Sequence, residues 1–142
     1  APIAASTDGY LYNHETGQND GSTNPPSAIT SYIESSQMSI GAGEDFVFLS
    51  KLIPDVTFEN SISGAPSATF TLQARNFPGG AYLQSNNSNV VQTATTPVEQ
   101  FTEQTFVRLR GRSFALKVES NATDTQWRLG TPRVDVRPDG RR

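Results

Sequence analysis

Residues 68–74 read Ala-Thr-Phe-Thr-Leu-Gln-Ala, an alternation of apolar and polar side chains that continues to Arg75. Successive residues of a β-strand point to opposite faces, so Ala68, Phe70, Leu72 and Ala74 share one side while Thr69, Thr71, Gln73 and Arg75 share the other. A helical period would scatter the same four apolar positions around the axis, so the segment predicts a half-buried strand. Upstream, Phe46–Ile53 (FVFLSKLI) is almost continuously apolar and rich in aromatic and branched residues. It suits a central strand covered on both faces, stopped by Pro54. Downstream, Val107 and Leu109 share one parity, whereas Phe114, Leu116 and Val118 share the other. The switch falls at Gly111 and predicts a β-bulge or tight turn in which glycine takes positive φ without strain.

The flanking segments carry weaker signals. Residues 1–30 are punctuated by Gly9, Gly17, Gly21, Pro25 and Pro26 and read as loop, with one short strand over Gly9–Glu15. A strand is expected over Ile29–Ile40, ending at Gly41 and Gly43, and a turn at Pro78-Gly79-Gly80. Ser85–Pro97 has only Val90 and Val91 as apolar anchors and reads as a long exposed hairpin or loop. Gln126–Leu129 and Arg133–Arg137 read as a last strand pair around Gly130 to Pro132. No segment sustains a helical apolar stripe. The expectation is an all-β fold of short antiparallel strands, propeller-like or sandwich, with little helix. It would be a single β domain over 1–142, or a segment of a larger β protein, with a loop-rich lead-in (1–30), an acidic β body (31–100) and a basic closing block (101–142).

The chain has 142 residues, a length at which a domain buries roughly 68% of its unfolded surface. Hydrophobic residues make up 35% of it, below the usual ~45–50%, so many positions must face solvent or neighbouring subunits. There is no cysteine, which excludes disulfides, thiolate metal sites and thiol nucleophiles. No run of ~18 apolar residues suggests a membrane partner, and the start at Ala1, without a signal-like region, points to a processed leader or to a segment of a longer polypeptide, the segment being the favoured reading. The net charge of −3 is unevenly spread: residues 1–100 hold two bases against nine acids, a balance of −7, and residues 101–142 hold nine bases against five acids, a balance of +4. Faces of opposite sign steer and register association between copies.

Few residues suit catalysis. His14 is the only histidine, and its neighbours Asn13 and Glu15 serve a turn as readily as a reaction. Glu44 and Asp45 are adjacent, whereas calcium loops alternate their ligands, so a turn leading into the next strand is the better reading. Gly41-Ala42-Gly43 lacks the lysine of a phosphate loop, and the sequons at Asn86 and Asn121 are common by chance in such a composition. We therefore expect no catalytic residue, no cofactor, no metal and no small-molecule substrate. The richest constellation is Arg108, Arg110, Arg112, Arg128, Arg133, Arg137, Arg141 and Arg142, interleaved with Phe106, Phe114 and Trp127. Guanidinium groups with aromatics suit nucleic acid. Asp135 and Asp139 interrupt the run, which favours inter-subunit or intra-domain ion pairing for Arg108, Arg110, Arg112, Arg133, Asp135 and Arg137. Trp127 is the natural core anchor under the last strand pair, with Arg133, Asp135 and Arg137 alternating outward as a polar ladder.

The ending TQWRLGTPRVDVRPDGRR, preceded by FVRLRGRSFALKVES, resembles the closing block of a family of virion structural proteins of short-tailed bacteriophages: the tail nozzle or tail-tubular type, related to the packaged-DNA stabilisation proteins. YNHETG at Tyr12–Gly17, SIGAGEDFVFLSKLIPDVTF at Ser39–Phe58 and ARNFPGG at Ala74–Gly80 match in the same order, so the likeness covers most of the chain. It implies a homo-oligomeric ring of six copies in the virion tail, below the portal and adaptor, with genomic DNA passing through the lumen. It supplies no catalytic residue. Members of that family are commonly several times longer, so the chain would be a C-terminal portion. The alternative is a carbohydrate-binding or host-adhesion β domain with Tyr10, Tyr12, Tyr82 and Trp127 stacking on sugars. A hydrolase using His14, Glu15 or the Glu44/Asp45 pair is the third reading.

Overall fold

The structure is a computed structural model and describes residues 2–41, 44–77, 83–85 and 88–140. The strands are β1 (Ile3–Ala5), β2 (Leu11–Asn13), β3 (Asn19–Asp20), β4 (Ser27–Ala28), β5 (Ser31–Glu34), β6 (Met38–Ser39), β7 (Val47–Ile53), β8 (Val56–Thr57), β9 (Ser67–Arg75), β10 (Leu83–Ser85), β11 (Ser88–Val91), β12 (Thr93–Glu99), β13 (Thr105–Gly111), β14 (Ser113–Ser120), β15 (Arg128–Leu129) and β16 (Arg133–Pro138). All pairings are antiparallel, and no helix occurs among the described residues. The all-β expectation is met.

Two sheets carry the core. The larger runs β12-β9-β14-β5, with β6 also on β14; the smaller runs β13-β7-β16. Val47, Leu49, Val107 and Leu109 of the smaller sheet pack with Leu72, Ala74 and Phe114 of the larger one in a single buried cluster. Side chains from two inner faces interdigitating in this way make a sandwich. A second cluster joins Leu52, Phe58, Ala68, Phe70, Val98 and Val118.

β9 follows its sequence pattern residue by residue, with Ala68, Phe70, Leu72 and Ala74 buried and the intervening positions half-buried. β7 is central in its sheet, as expected, but only one of its faces is covered. Val47, Leu49 and Leu52 are buried, Phe48 is half-buried and Ile53 is 39% exposed. The apolar run also contains a slip of parity between Leu49 and Leu52. Both partner strands shift register there, β13 between Phe106 and Leu109 and β16 between Asp135 and Val136, so a bulge around Ser50 turns both leucines inward.

At Gly111 the reason for glycine differs from the one expected. The residue does not take positive φ; here the chain leaves the smaller sheet as β13 and joins the larger one as β14, with Arg112 between. A Cβ on Gly111 would lie 2.9 Å from the Cβ of Ala74 and 3.0 Å from the carbonyl oxygen of Arg75. Close approach of two backbones selects the glycine, and Arg112 N–H donates to that same Arg75 carbonyl at 2.9 Å.

Four further expectations are corrected. The strand at Gly9–Glu15 shortens to Leu11–Asn13, bounded by positive φ at Gly9 and Glu15, and pairs with β1, a strand where loop is expected. Ile29–Ile40 splits into β5 and β6, both on β14, because Ser35 steps out: its N–H donates to the Leu116 carbonyl and its hydroxyl accepts the Leu116 N–H. Within Ser85–Pro97, Thr93 onward is not a loop but β12, the edge strand on β9, with Val98 fully buried and Pro97 tolerated because an edge leaves one side of the backbone unpaired. Gln126–Leu129 and Arg133–Arg137 do not pair with each other. β15 pairs with β8 and β16 with β7. Gly130 enforces this, since its N–H donates to the Asp55 carbonyl at 2.8 Å and the Asp55 carboxylate fills the space of a Cβ, with Oδ2 at 2.4 Å from that position. The Asp55 carboxylate also accepts Thr131 N–H at 2.6 Å. Ala42, Gly43, Pro78, Gly79, Gly80, Tyr82, Asn86, Asn87, Arg141 and Arg142 lie outside the described residues, and with them the expected glycine turn, one sequon and two of the arginines.

Candidate functional site

The outer face of the smaller sheet gathers most of the residues singled out from the sequence. Because Val47, Leu49, Val107 and Leu109 point inward, alternation sends Phe48, Phe106, Arg108 and Arg110 outward. The register then sets rows across the three strands. Arg110, Phe48 and Arg137 stand side by side; Phe106, Lys51 and Asp135 form another row; Ile53 lies beside Arg133. Arg108, Arg133, Asp135 and Arg137 are exposed, as the polar-ladder reading expects, and Phe106 is 79% exposed.

The arginines divide into two groups. Arg110 is bound inside the fold: it donates to the Asp139 carboxylate through Nε and to the Asp139 carbonyl through Nη2 at 3.0 Å, and its guanidinium lies 4.0 Å from the centre of the buried Phe46 ring. Arg112 is bound as well, donating to the carbonyls of Glu44 and Asn76 at 3.1 Å each and lying against the rings of Phe46 and Phe77. These contacts seam the crossing of β13 into β14 to the start of β7, so the intra-domain share of the ionic reading applies to Arg110 and Arg112. Asp139, the acid that Arg110 pairs with, belongs to the same closing block. In the other group, Arg137 stacks on Phe48 at 4.8 Å, and Arg108 and Arg133 make no side-chain hydrogen bond or ion pair among the described residues.

Trp127 is partly buried and packs on the second core cluster, with its indole N–H donating to Ser31 Oγ at 2.9 Å. It anchors the loop before β15 to β5, not a last strand pair. The described members of the sugar-stacking set do not converge: Trp127 is spent in this contact, and of Tyr10, Tyr12 and Trp127 only Tyr12 lines the open groove of about 1060 Å³ around the N-terminal hairpins, while Tyr82 is outside the described residues. Tyr12 Oη and Tyr10 N–H donate to Asp8 at 2.8 and 3.1 Å, holding its carboxyl below the ordinary 3.8. His14 and Glu15 line the same groove, both exposed, whereas Glu44 and Asp45 do not reach it. The hydrolase candidates are therefore not brought together. Among the described residues no group of three or more His, Asp or Glu is placed to hold a metal, and no helix is long and apolar enough to cross a membrane.

The packing of Arg110 and Arg112 on Phe46 and the Trp127 contact had a sequence signal only in part. The arginine run was visible, but their aromatic partner lies some sixty residues upstream in the chain. No family profile and no curated protein matches this chain.

Proposed function

We propose that the chain is a non-catalytic structural part of a bacteriophage tail, of the nozzle or tail-tubular kind, that works by assembling with sister copies and with adaptor or portal proteins around the DNA exit path. The observation that carries the assembly half of this reading is the state of the N-terminal hairpins. β1, β2, β3 and β4 form two-stranded sheets with no fully buried residue, and Ile3, Tyr10 and Leu11 are 66%, 67% and 75% exposed. An isolated two-stranded hairpin is marginal in water, and exposed apolar side chains grouped on one marginal element mark a surface that another chain covers. The tail half rests on the resemblance of the closing block and the three upstream stretches. A ring of six copies, DNA in the lumen and a place in the virion follow from the same resemblance.

Sedimentation velocity over a range of protein concentrations tests the assembly. The reading predicts association that weakens when Leu11 and Tyr10 are both changed to serine, two exposed substitutions that leave both core clusters intact. A chain that stays at its monomer mass of 15.4 kDa at every concentration contradicts it.

A further inference from the structure

We infer that the outer face of the β13-β7-β16 sheet is a binding platform for single-stranded nucleic acid. This goes beyond the tail reading and does not depend on it. The face presents Lys51, Arg108, Arg110, Arg133 and Arg137 against Asp135 and Asp139, five bases to two acids, on a chain whose overall charge is −3. Arg110 pairs with Asp139, which leaves Lys51, Arg108, Arg133 and Arg137 around Asp135, with Asp55 and Glu103 at the Arg133 end of the face. The excess is therefore local and built by register, because β7 places Phe48 between Arg110 and Arg137 of the two flanking strands and adds Lys51 to the same face.

Charge alone would describe any polyanion site; the aromatics narrow the ligand. Phe106 stands on the outer strand β13, across from Lys51 and two residues from Arg108, 79% exposed, where a lone solvated charge cluster has no use for an apolar ring. Arg137 lies over Phe48, at 4.8 Å from guanidinium to ring centre, and adds an aromatic–guanidinium pair to the same face. Bases of an unpaired strand stack on aromatic rings and on guanidinium planes, while cations beside them meet the phosphates. A duplex keeps its bases stacked on each other and gives Phe106 nothing to cover it. An antiparallel sheet face is also open along its length, so a strand can cross it without any pocket.

Fluorescence anisotropy of the full chain with a labelled oligothymidylate, at several salt concentrations, tests this. Binding is expected, with log affinity falling against log salt at a slope of about −0.7 for each phosphate neutralised. Changing Arg108 and Arg133 together to glutamine is expected to make that slope shallower by roughly 1.4, and Phe106→Ala to weaken binding roughly 5- to 100-fold. All three positions are exposed, so circular dichroism of each variant should match that of the parent protein. Three results overturn the inference: no binding at low salt, binding to a duplex or to heparin at least as tight as to oligothymidylate, or binding that Phe106→Ala leaves unchanged. If the arginine pair alters sedimentation while leaving oligothymidylate binding as it was, a sister copy covers the face and the inference is again wrong.

Discussion

Replacing Phe70 with alanine should cost about 3–5 kcal/mol of folding stability. Phe70 is fully buried at the middle of β9, where register sets it against Thr96 of β12 and Val118 of β14. Its ring is the largest wholly enclosed side chain among the described residues and belongs to the cluster that joins Leu52, Phe58, Val98 and Val118. These neighbours come from four different strands or turns, each fixed by its own backbone pairing, so the hole left by truncation collapses poorly. A domain of this size has ~5–15 kcal/mol in total, and the loss is a large part of it. Urea denaturation measures it as a drop in midpoint with the slope unchanged. A change under about 1 kcal/mol would mean that Phe70 is not enclosed and that the larger sheet is not packed as described.

Gly111→Val comes second, at about 3 kcal/mol or more, the upper end of what overpacking costs. The first added carbon already meets the Cβ of Ala74 at 2.9 Å and the Arg75 carbonyl at 3.0 Å, and neither is the yielding tip of a flexible chain. The Arg75 carbonyl is moreover held by the Arg112 N–H, so backbone cannot retreat without breaking the bond that guides the strand from one sheet to the other. Gly111→Ala should be milder, and Ala74→Gly in the same chain should restore part of the loss, since it removes one of the two contacts and leaves the other. The same denaturation series reads all of these. A stable Gly111→Val protein would show that the two sheets do not approach each other there.

These two residues also show what the sequence made legible. The burial of Phe70 follows from alternation within its own strand, a local rule that needs no knowledge of partners. The switch at Gly111 was visible as a break in parity, but its cause was not: a strand moving between sheets and a bulge in one strand leave the same trace. Partner choice was the general blind spot. Arg128–Leu129 and Arg133–Pro138 are close in sequence and look like a hairpin, yet each pairs with a strand more than seventy residues upstream, an outcome decided by Gly130 against Asp55. Thr93–Glu99 was hidden by its composition. Threonines and Pro97 are poor signals for a core strand but acceptable on an edge, and Val98 alone carries the burial.

The candidate site was legible as a list and illegible as a geometry. The sequence puts eight arginines in the last third of the chain, and outward alternation of Arg108, Arg110, Arg133, Asp135 and Arg137 follows from the strands. That Arg110 and Arg112 are held on Phe46 while Arg108 and Arg133 are left to solvent depends on where β7 begins and on Asp139, relations that no spacing rule contains. Of the β1-β2 hairpin, on which the assembly proposal leans, β2 was legible within Gly9–Glu15 but β1 was not, because a three-residue strand does not alternate long enough to be read.

The most direct test of that proposal is an electron cryomicroscopy reconstruction of the assembled protein. A closed ring of copies in which Ile3, Tyr10 and Leu11 of each hairpin are covered at a subunit boundary is the predicted result. A reconstruction in which those side chains face solvent on every copy, or in which the copies make no ring, would contradict it.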